Sequence, residues 1–258
     1  MFPWTSALVT GASAGIGEAI AEQLASAGIH TVVVARRTDR LRRLADRYPN
    51  VEVLTADLLR PDGCASVVAR LTDPSKPVEL LVNNAGFGIP GTVATASPSG
   101  LVGMIDLNVR ALTELTSAVV PSMVAKGRGW ILQVSSVASF QPGPGAAVYS
   151  ATKAYVTSFT EALFEELRGT GVHVTALCPG YTHTEFHAVA NMSTTEINRV
   201  PKFAWLQADA VARSGLAAVA AGRALDVPGG LYKGISSASR VMPRRLVRRI
   251  AGRIGRQD

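Results

Sequence analysis

The sequence predicts a single α/β domain built on a doubly wound parallel sheet, and three observations predict it. Six short runs of apolar, largely β-branched residues recur along the chain. Each run is nearly continuous rather than alternating, as strands covered on both faces require. Amphipathic stretches of helical period separate the runs, so the pattern is a repeated βαβ unit. A length of 258 residues, 47% hydrophobic and 17% charged, suits one large soluble globular domain.

Taken in order, the first strand is Ala7–Thr10, followed by a glycine-rich turn and a helix. In that helix Ile16, Ile20 and Leu24 recur every four residues as a buried face. The next strands are Thr31–Ala35, Val51–Thr55, Leu80–Asn83, Trp130–Ser135 and Val172–Cys178. From Tyr181 onward periodicity fades and polar residues collect, so 181–206 is predicted to be a long substrate loop over the carboxyl ends of the strands. Loops of that length inside a compact domain are usually functional. Residues 1–232 form the expected binding and catalytic domain, and 233–258 a basic amphipathic C-terminal extension.

Charge and composition narrow the function class. The net charge is +7, but Lys233 to Asp258 holds eight Lys/Arg against one acid, leaving 18 residues of each sign in 1–232. A balanced body with a basic tail suits a local interaction surface better than a nucleic-acid-binding fold, and no nucleic-acid partner is expected. No apolar run approaches the roughly 18 residues of a membrane span. The N-terminus, Met1-Phe2-Pro3-Trp4, lacks a secretory pattern. Cys64 and Cys178 make neither a metal-spaced pair nor a disulfide framework, and a reducing cytoplasm is the expected location. His183 and His187 are four apart, but the intervening acid is Glu185, two places after the first histidine, which is not the zinc-protease pattern. No metal is expected.

Two constellations carry chemistry. Thr10-Gly11-Ala12-Ser13-Ala14-Gly15-Ile16-Gly17 leaves the first strand and opens the first helix. Glycines there let the backbone turn tightly and approach a pyrophosphate seated on the helix N-terminus, the arrangement of a Rossmann-type dinucleotide site. The second strand ends Val34-Ala35-Arg36-Arg37. Ala35 stands where an NAD site places an acid, and two arginines follow. Guanidinium groups pair with a 2′-phosphate, so the expected cofactor is NADP(H), with Arg36 as first choice and Arg37 and Ser13 as helpers. Asp57, after the third strand, is either an acceptor for the adenine amino group or a helix cap. The second constellation is Tyr149 and Lys153, four apart and therefore on one helix face, with Ser136 thirteen residues before the tyrosine. A tyrosine of pKa about 10 is a poor proton carrier at neutral pH, and a neighbouring ammonium favours its phenolate. The pair is a candidate acid/base for a carbonyl or an alcohol.

With Asn83-Asn84-Ala85-Gly86 after the fourth strand, Asn108, and Pro179-Gly180, the set resembles the short-chain dehydrogenase/reductase family over roughly Ala7 to Thr184. The resemblance implies a role for each matching residue. Tyr149 would be the general acid that protonates a carbonyl oxygen as hydride arrives, and Ser136 the donor that positions that oxygen. Lys153 would hold the nicotinamide ribose and lower the tyrosine pKa. Asn108 would anchor a water that links Lys153 to solvent. The cofactor contacts implied are Gly11, Ser13, Gly15, Ile16, Gly17, Arg36, Arg37, Asp57, Asn84, Ala85 and Gly86, then Tyr149, Lys153, Pro179, Gly180, Thr182 and Thr184.

The expected activity is NADPH-dependent reduction of a ketone or aldehyde, reversible toward alcohol oxidation, on an apolar or lipid-like small molecule. Phe186, Met192, Phe203 and Trp205 either wall the substrate pocket or tether the loop. Beyond Pro243, Leu246, Val247, Ile250, Ala251 and Ile254 fall on one helical face, and Arg245, Arg248, Arg249, Arg253 and Arg256 on another. That helix suits peripheral contact with an anionic membrane or packing on the domain. A homo-oligomer is compatible with the resemblance. The competing readings are an NAD-preferring alcohol dehydrogenase, an epimerase or dehydratase of related fold, and a non-catalytic NAD(P)-binding sensor or scaffold at a membrane surface.

Overall fold

The computed structural model describes residues 2–186 and 200–254, without the side chains of Arg240, Arg253 and Ile254. Met192, His187 and Arg256 therefore lie outside the described residues. Seven parallel strands form the sheet in the order β3-β2-β1-β4-β5-β6-β9. They are β1 (Ser6–Thr10), β2 (His30–Ala35), β3 (Val51–Thr55), β4 (Leu80–Asn83), β5 (Gly129–Val134), β6 (Val172–Leu177) and β9 (Leu225–Asp226). The expected single doubly wound domain of Rossmann type is what forms. Register is direct: Thr10 lies beside Val34, Ala35 beside Thr55, and Asn83 beside Gln133. All carboxyl ends therefore reach one edge, and chain direction across the sheet switches between β1 and β4, where such folds open a crevice.

Helices cover both faces. Helix α1 (Gly15–Ser26) packs with α7 (Ala208–Ala220) on one side, and α3 (Pro61–Leu71) with α5 (Leu112–Lys126) on the other. Ile20 and Leu24 of the predicted face are fully buried and join Leu80, Val82 and Leu216 in the first core. Leu81, Ile131, Leu115 and Val119 belong to the second. Adjacent residues of one strand thus feed opposite cores, which explains the unbroken apolar runs in the sequence. Helix α2 (Thr38–Arg47) follows β2, and α6 (Ala147–Glu166) follows β5.

The long segment after β6 is not wholly irregular. Two short strands, β7 (Thr182–His183) and β8 (Leu206–Gln207), pair in parallel and bring the two feet of the loop together. The described residues end with α8 (Gly230–Val241) and α9 (Arg244–Ile254). The 232/233 division falls inside α8, whose Tyr232 and Ser236 are buried. In α9 only part of the predicted apolar face is covered: Val247 and Ala251 are buried, whereas Leu246 and Ile250 are exposed beside Arg245, Arg248 and Arg249. No described helix is long and apolar enough to cross a membrane.

Candidate active site

At the end of β5 the chain delivers two serines to two different tasks. Ser135 is buried, and its hydroxyl donates to the Lys153 carbonyl at 2.9 Å and shares a 2.7 Å bond with Thr157 Oγ1. It fastens strand to helix. Ser136 is half-buried, caps the short 3₁₀ turn Val137–Phe140 by accepting from Ala138 N–H, and hydrogen-bonds the Tyr149 phenol.

Tyr149 and Lys153 stand on the first turns of α6, with Lys153 Nζ 5.9 Å from the Tyr149 ring centroid. Lys153 is only 6% exposed, and its ammonium donates to the Val134 carbonyl at 2.8 Å. Burial pulls this lysine down to about 8. Burial pushes the Tyr149 phenol up to about 12, against the opposing pull of the Ser136 hydrogen bond. The expectation that Lys153 depresses the tyrosine is thus reversed here. Both groups are taken out of water, and desolvation, which favours the neutral form of each, is the largest influence on both.

Asn108 sits in a π-helical turn, Asp106–Ala111, between α4 (Pro98–Ile105) and α5. Its side chain holds the Phe87 backbone from both ends, accepting from Phe87 N–H at 3.1 Å and donating to the Phe87 carbonyl at 2.9 Å. It also donates to Thr152 Oγ1 at 3.1 Å. Its described partners are therefore the loop beside the site and the helix of Tyr149. π-Helical turns of this kind are frequent at functional sites. Gly86 lies against both Asn108 and Lys153.

The glycine turn is braced from β4. Thr10 Oγ1 donates to the Val82 carbonyl and accepts from the backbone N–H groups of Asn84 and Ala85, each at 3.0 Å. Asn84 Nδ2 donates to the carbonyls of Thr10 and Gly11. A Cβ on Gly17 would collide with that amide and with the Gly11 carbonyl, so glycine is required there by close approach. Gly15 has φ +62°, and a Cβ on it would press on Thr184 at 2.9 Å. Ala14 gives α1 no side-chain cap, so the N–H groups of its first turn, at Gly15, Ile16 and Gly17, carry the helix's positive end.

At the end of β2 the arginines differ in their surroundings. Arg36 is exposed and makes no side-chain hydrogen bond or ion pair among the described residues. Arg37 instead donates from Nε to Ser13 Oγ at 3.1 Å and from Nη2 to the Ser13 carbonyl at 3.3 Å. Arg40, which the sequence reading missed, joins it: its Nη1 lies 3.4 Å from the Ser13 carbonyl and 2.7 Å from Glu185 Oε1. Arg37 and Arg40 are three apart at the start of α2, a spacing that shares a face and was the available signal. Asp57 accepts from Leu59 N–H at 3.1 Å and so caps a local turn, whereas the residue preceding α3 is Arg60.

Over the edge of the sheet, Pro179 accepts from Val137 N–H at 3.0 Å. Thr182 turns its hydroxyl back to the Gly180 carbonyl at 2.9 Å, and Thr184 accepts from Phe186 N–H at 3.3 Å. Phe186 rests against Tyr149, with ring centroids 5.8 Å apart, and both approach Gly88. Trp205 stacks on His183 at 4.8 Å and packs on Tyr181 at 5.6 Å, so it tethers the loop, while Phe203 is 79% exposed. Tyr232, also missed, lies where a side chain on Gly180 would be. Its hydroxyl accepts from Tyr181 N–H at 3.1 Å and donates to the Ala204 carbonyl at 2.8 Å.

A glycine turn at an uncapped helix start, a cationic Ser13-Arg37-Arg40 cluster with no acid at Ala35, and a buried lysine beside a tyrosine form a donor set that fits a dinucleotide bearing a 2′-phosphate. Comparison with known proteins agrees. The family model described as short chain dehydrogenase matches residues 5–194. Sulfoacetaldehyde reductase 2 of Chromohalobacter salexigens is 39% identical over 187 residues, covering 70% of this chain and 74% of its own. A short-chain dehydrogenase from Sphingobium yanoikuyae, solved in complex with NADPH, superposes with a TM-score of 0.82 at 34% identity, covering 91% of this chain and 93% of the other. A bulky-bulky ketone specific alcohol dehydrogenase from Comamonas testosteroni gives a TM-score of 0.78 at 29% identity, with 92% of each chain covered.

Proposed function

This chain belongs to the short-chain dehydrogenase family, and from that premise we propose that it reduces an apolar ketone or aldehyde, reversibly toward alcohol oxidation. It is an NADP(H)-dependent oxidoreductase acting on carbonyl and CH–OH groups. Bound NADPH supplies the hydride. Tyr149 gives its phenolic proton to the substrate oxygen, and the Ser136 hydroxyl orients that oxygen against the phenol. Lys153, next to Gly86, would hold the nicotinamide ribose through its ammonium donors. Asn108 fixes Phe87 and Thr152 and so sets the distance between the loop after β4 and the catalytic helix.

The observation that carries the apolar substrate class is the Phe186 ring against the Tyr149 phenol, with Gly88 behind them. An aromatic wall there rewards buried apolar surface, at roughly 25 cal/mol per Å². NADPH oxidation measured against a carbonyl panel tests this. Bulky and long-chain ketones are expected to exceed sulfoacetaldehyde in kcat/KM by at least about tenfold, the worth of a few buried methylenes. A preference for the small anionic aldehyde sinks the apolar reading.

Peripheral contact with an anionic membrane through α9 is the second part of the proposal. It is supported by exposed Leu246 and Ile250 beside Arg245, Arg248 and Arg249, while Val247 and Ala251 are buried. Vesicles rich in phosphatidylserine are expected to sediment the protein. Charge reversal of these three arginines to glutamate should weaken binding by about 10²-fold or more, since each basic residue contributes on the order of 1 kcal/mol near such a surface. Equal partitioning of both proteins, or none by the unmodified chain, overturns it.

A further inference from the structure

Glu185 stands one residue before Phe186 in the segment entering the substrate loop, yet its carboxylate is spent elsewhere. Oε2 accepts from Arg37 Nη1 at 2.9 Å, and Oε1 accepts from Arg40 Nη1 at 2.7 Å. The same two guanidinium groups are held from behind by Ser13, through its hydroxyl and its carbonyl. The cluster is therefore an anion cradle at the end of β2, preset by the glycine turn and loaded with an anion that the chain itself supplies. Planar carboxylate and tetrahedral phosphate both offer two adjacent oxygens to a guanidinium fork, and the fork does not distinguish them by geometry alone.

We propose that Glu185 is an internal competitor for the 2′-phosphate of NADP(H), occupying Arg37 and Arg40 until the phosphate displaces it. The inference rests on the NADP(H) reading of the arginine cluster. It goes further by assigning cofactor discrimination to a residue of the substrate loop. The pairs involved are solvent-facing: the side chains of Arg37, Arg40 and Glu185 are 41%, 31% and 45% exposed. Pairs of this kind are weak, so a phosphate carrying nearly two charges can replace the carboxylate. The carboxylate also has somewhere to go. A groove of ≈ 660 Å³, lined by Glu18, Arg40, Arg43, Arg47 and Glu185 among others, opens beside it. The hydrogen bonds from Arg40 and Arg37 lower the Glu185 carboxyl from its ordinary value, so the competitor is charged throughout the neutral range.

The test is calorimetric titration of the full chain and of Glu185→Gln, each with adenosine 2′,5′-bisphosphate and with 5′-AMP. The exposed glutamine keeps the shape of the side chain and removes the charge. The bisphosphate is expected to bind the variant about three- to tenfold more tightly than the unmodified protein, the combined worth of two exposed ion pairs, while AMP stays within about twofold. If the unmodified protein prefers the bisphosphate to AMP and the variant does not increase that preference, the competitor role is overturned and the cofactor reading stands. An equal gain for both ligands also overturns it, because that reports only a change in overall field. If neither protein distinguishes the two ligands, the NADP(H) reading of the cluster fails and takes this inference with it.

Discussion

Tyr149→Phe is expected to lower kcat/KM for carbonyl reduction by about 10³-fold or more, within the range that a positioned general acid supplies. The phenyl ring keeps its contact with Phe186 and loses only the hydroxyl that Ser136 engages. NADPH affinity, followed by nucleotide fluorescence, should change by less than about threefold, since one hydrogen bond is at stake. Turnover within tenfold of the unmodified enzyme would remove the acid role. Direction adds a second signature. With the phenol held near 12, the proton-donating form dominates throughout the neutral range, so the acid is already loaded for reduction. Alcohol oxidation needs the phenolate, and its rate should climb about tenfold per pH unit below that value.

Lys153→Met is expected to cost about 10²- to 10³-fold in turnover and yet to stabilise the cofactor-free protein. The sign follows from linkage. The folded chain holds this ammonium at about 8 against an ordinary 10.5. Between those values the unfolded chain binds more protons, so stability rises with pH through that window and is lowest below it. The penalty at neutral pH is on the order of 3 kcal/mol, offset in part by roughly 1 kcal/mol from the bond to the Val134 carbonyl that methionine cannot make. A melting temperature about 5 °C higher at pH 7, narrowing toward pH 10, is the expected result of calorimetry. A variant less stable at pH 7 and parallel to the unmodified protein at every pH would show that burial of this lysine costs the fold nothing.

The strands were legible because a sheet covered on both faces leaves unbroken apolar runs. All six predicted strands end within one residue of their observed ends, and Val51–Thr55 and Leu80–Asn83 coincide. Strand β9 was not legible, because two residues cannot display a period, and its place beside β6 is set by tertiary packing. The candidate catalytic residues were legible because Tyr149 and Lys153 lie one helical turn apart and Ser136 comes two residues after the end of β5. Contacts made across the fold were not. Glu185 meets Arg37 across 148 residues, and Tyr232 meets Tyr181 across 51, so neither leaves a local pattern. The pKa expectation failed for a related reason: sequence shows that two groups are neighbours, but not how much water both have lost.

Tyr232 gives the long segment after β6 fixed footings. One phenol grips the backbone at Tyr181 and at Ala204, and Leu206 N–H adds a bond to the Tyr181 carbonyl at 2.8 Å. Chain-closure entropy grows only slowly with length once two ends are pinned. The clasp thus fixes the spacing of two points of the chain, Tyr181 and Ala204, independently of the contacts that Thr184, Glu185 and Phe186 make with the glycine turn, the arginines and Tyr149. A clasp contributed by the penultimate helix ties the two feet of that segment to each other, so their separation does not depend on the sheet alone.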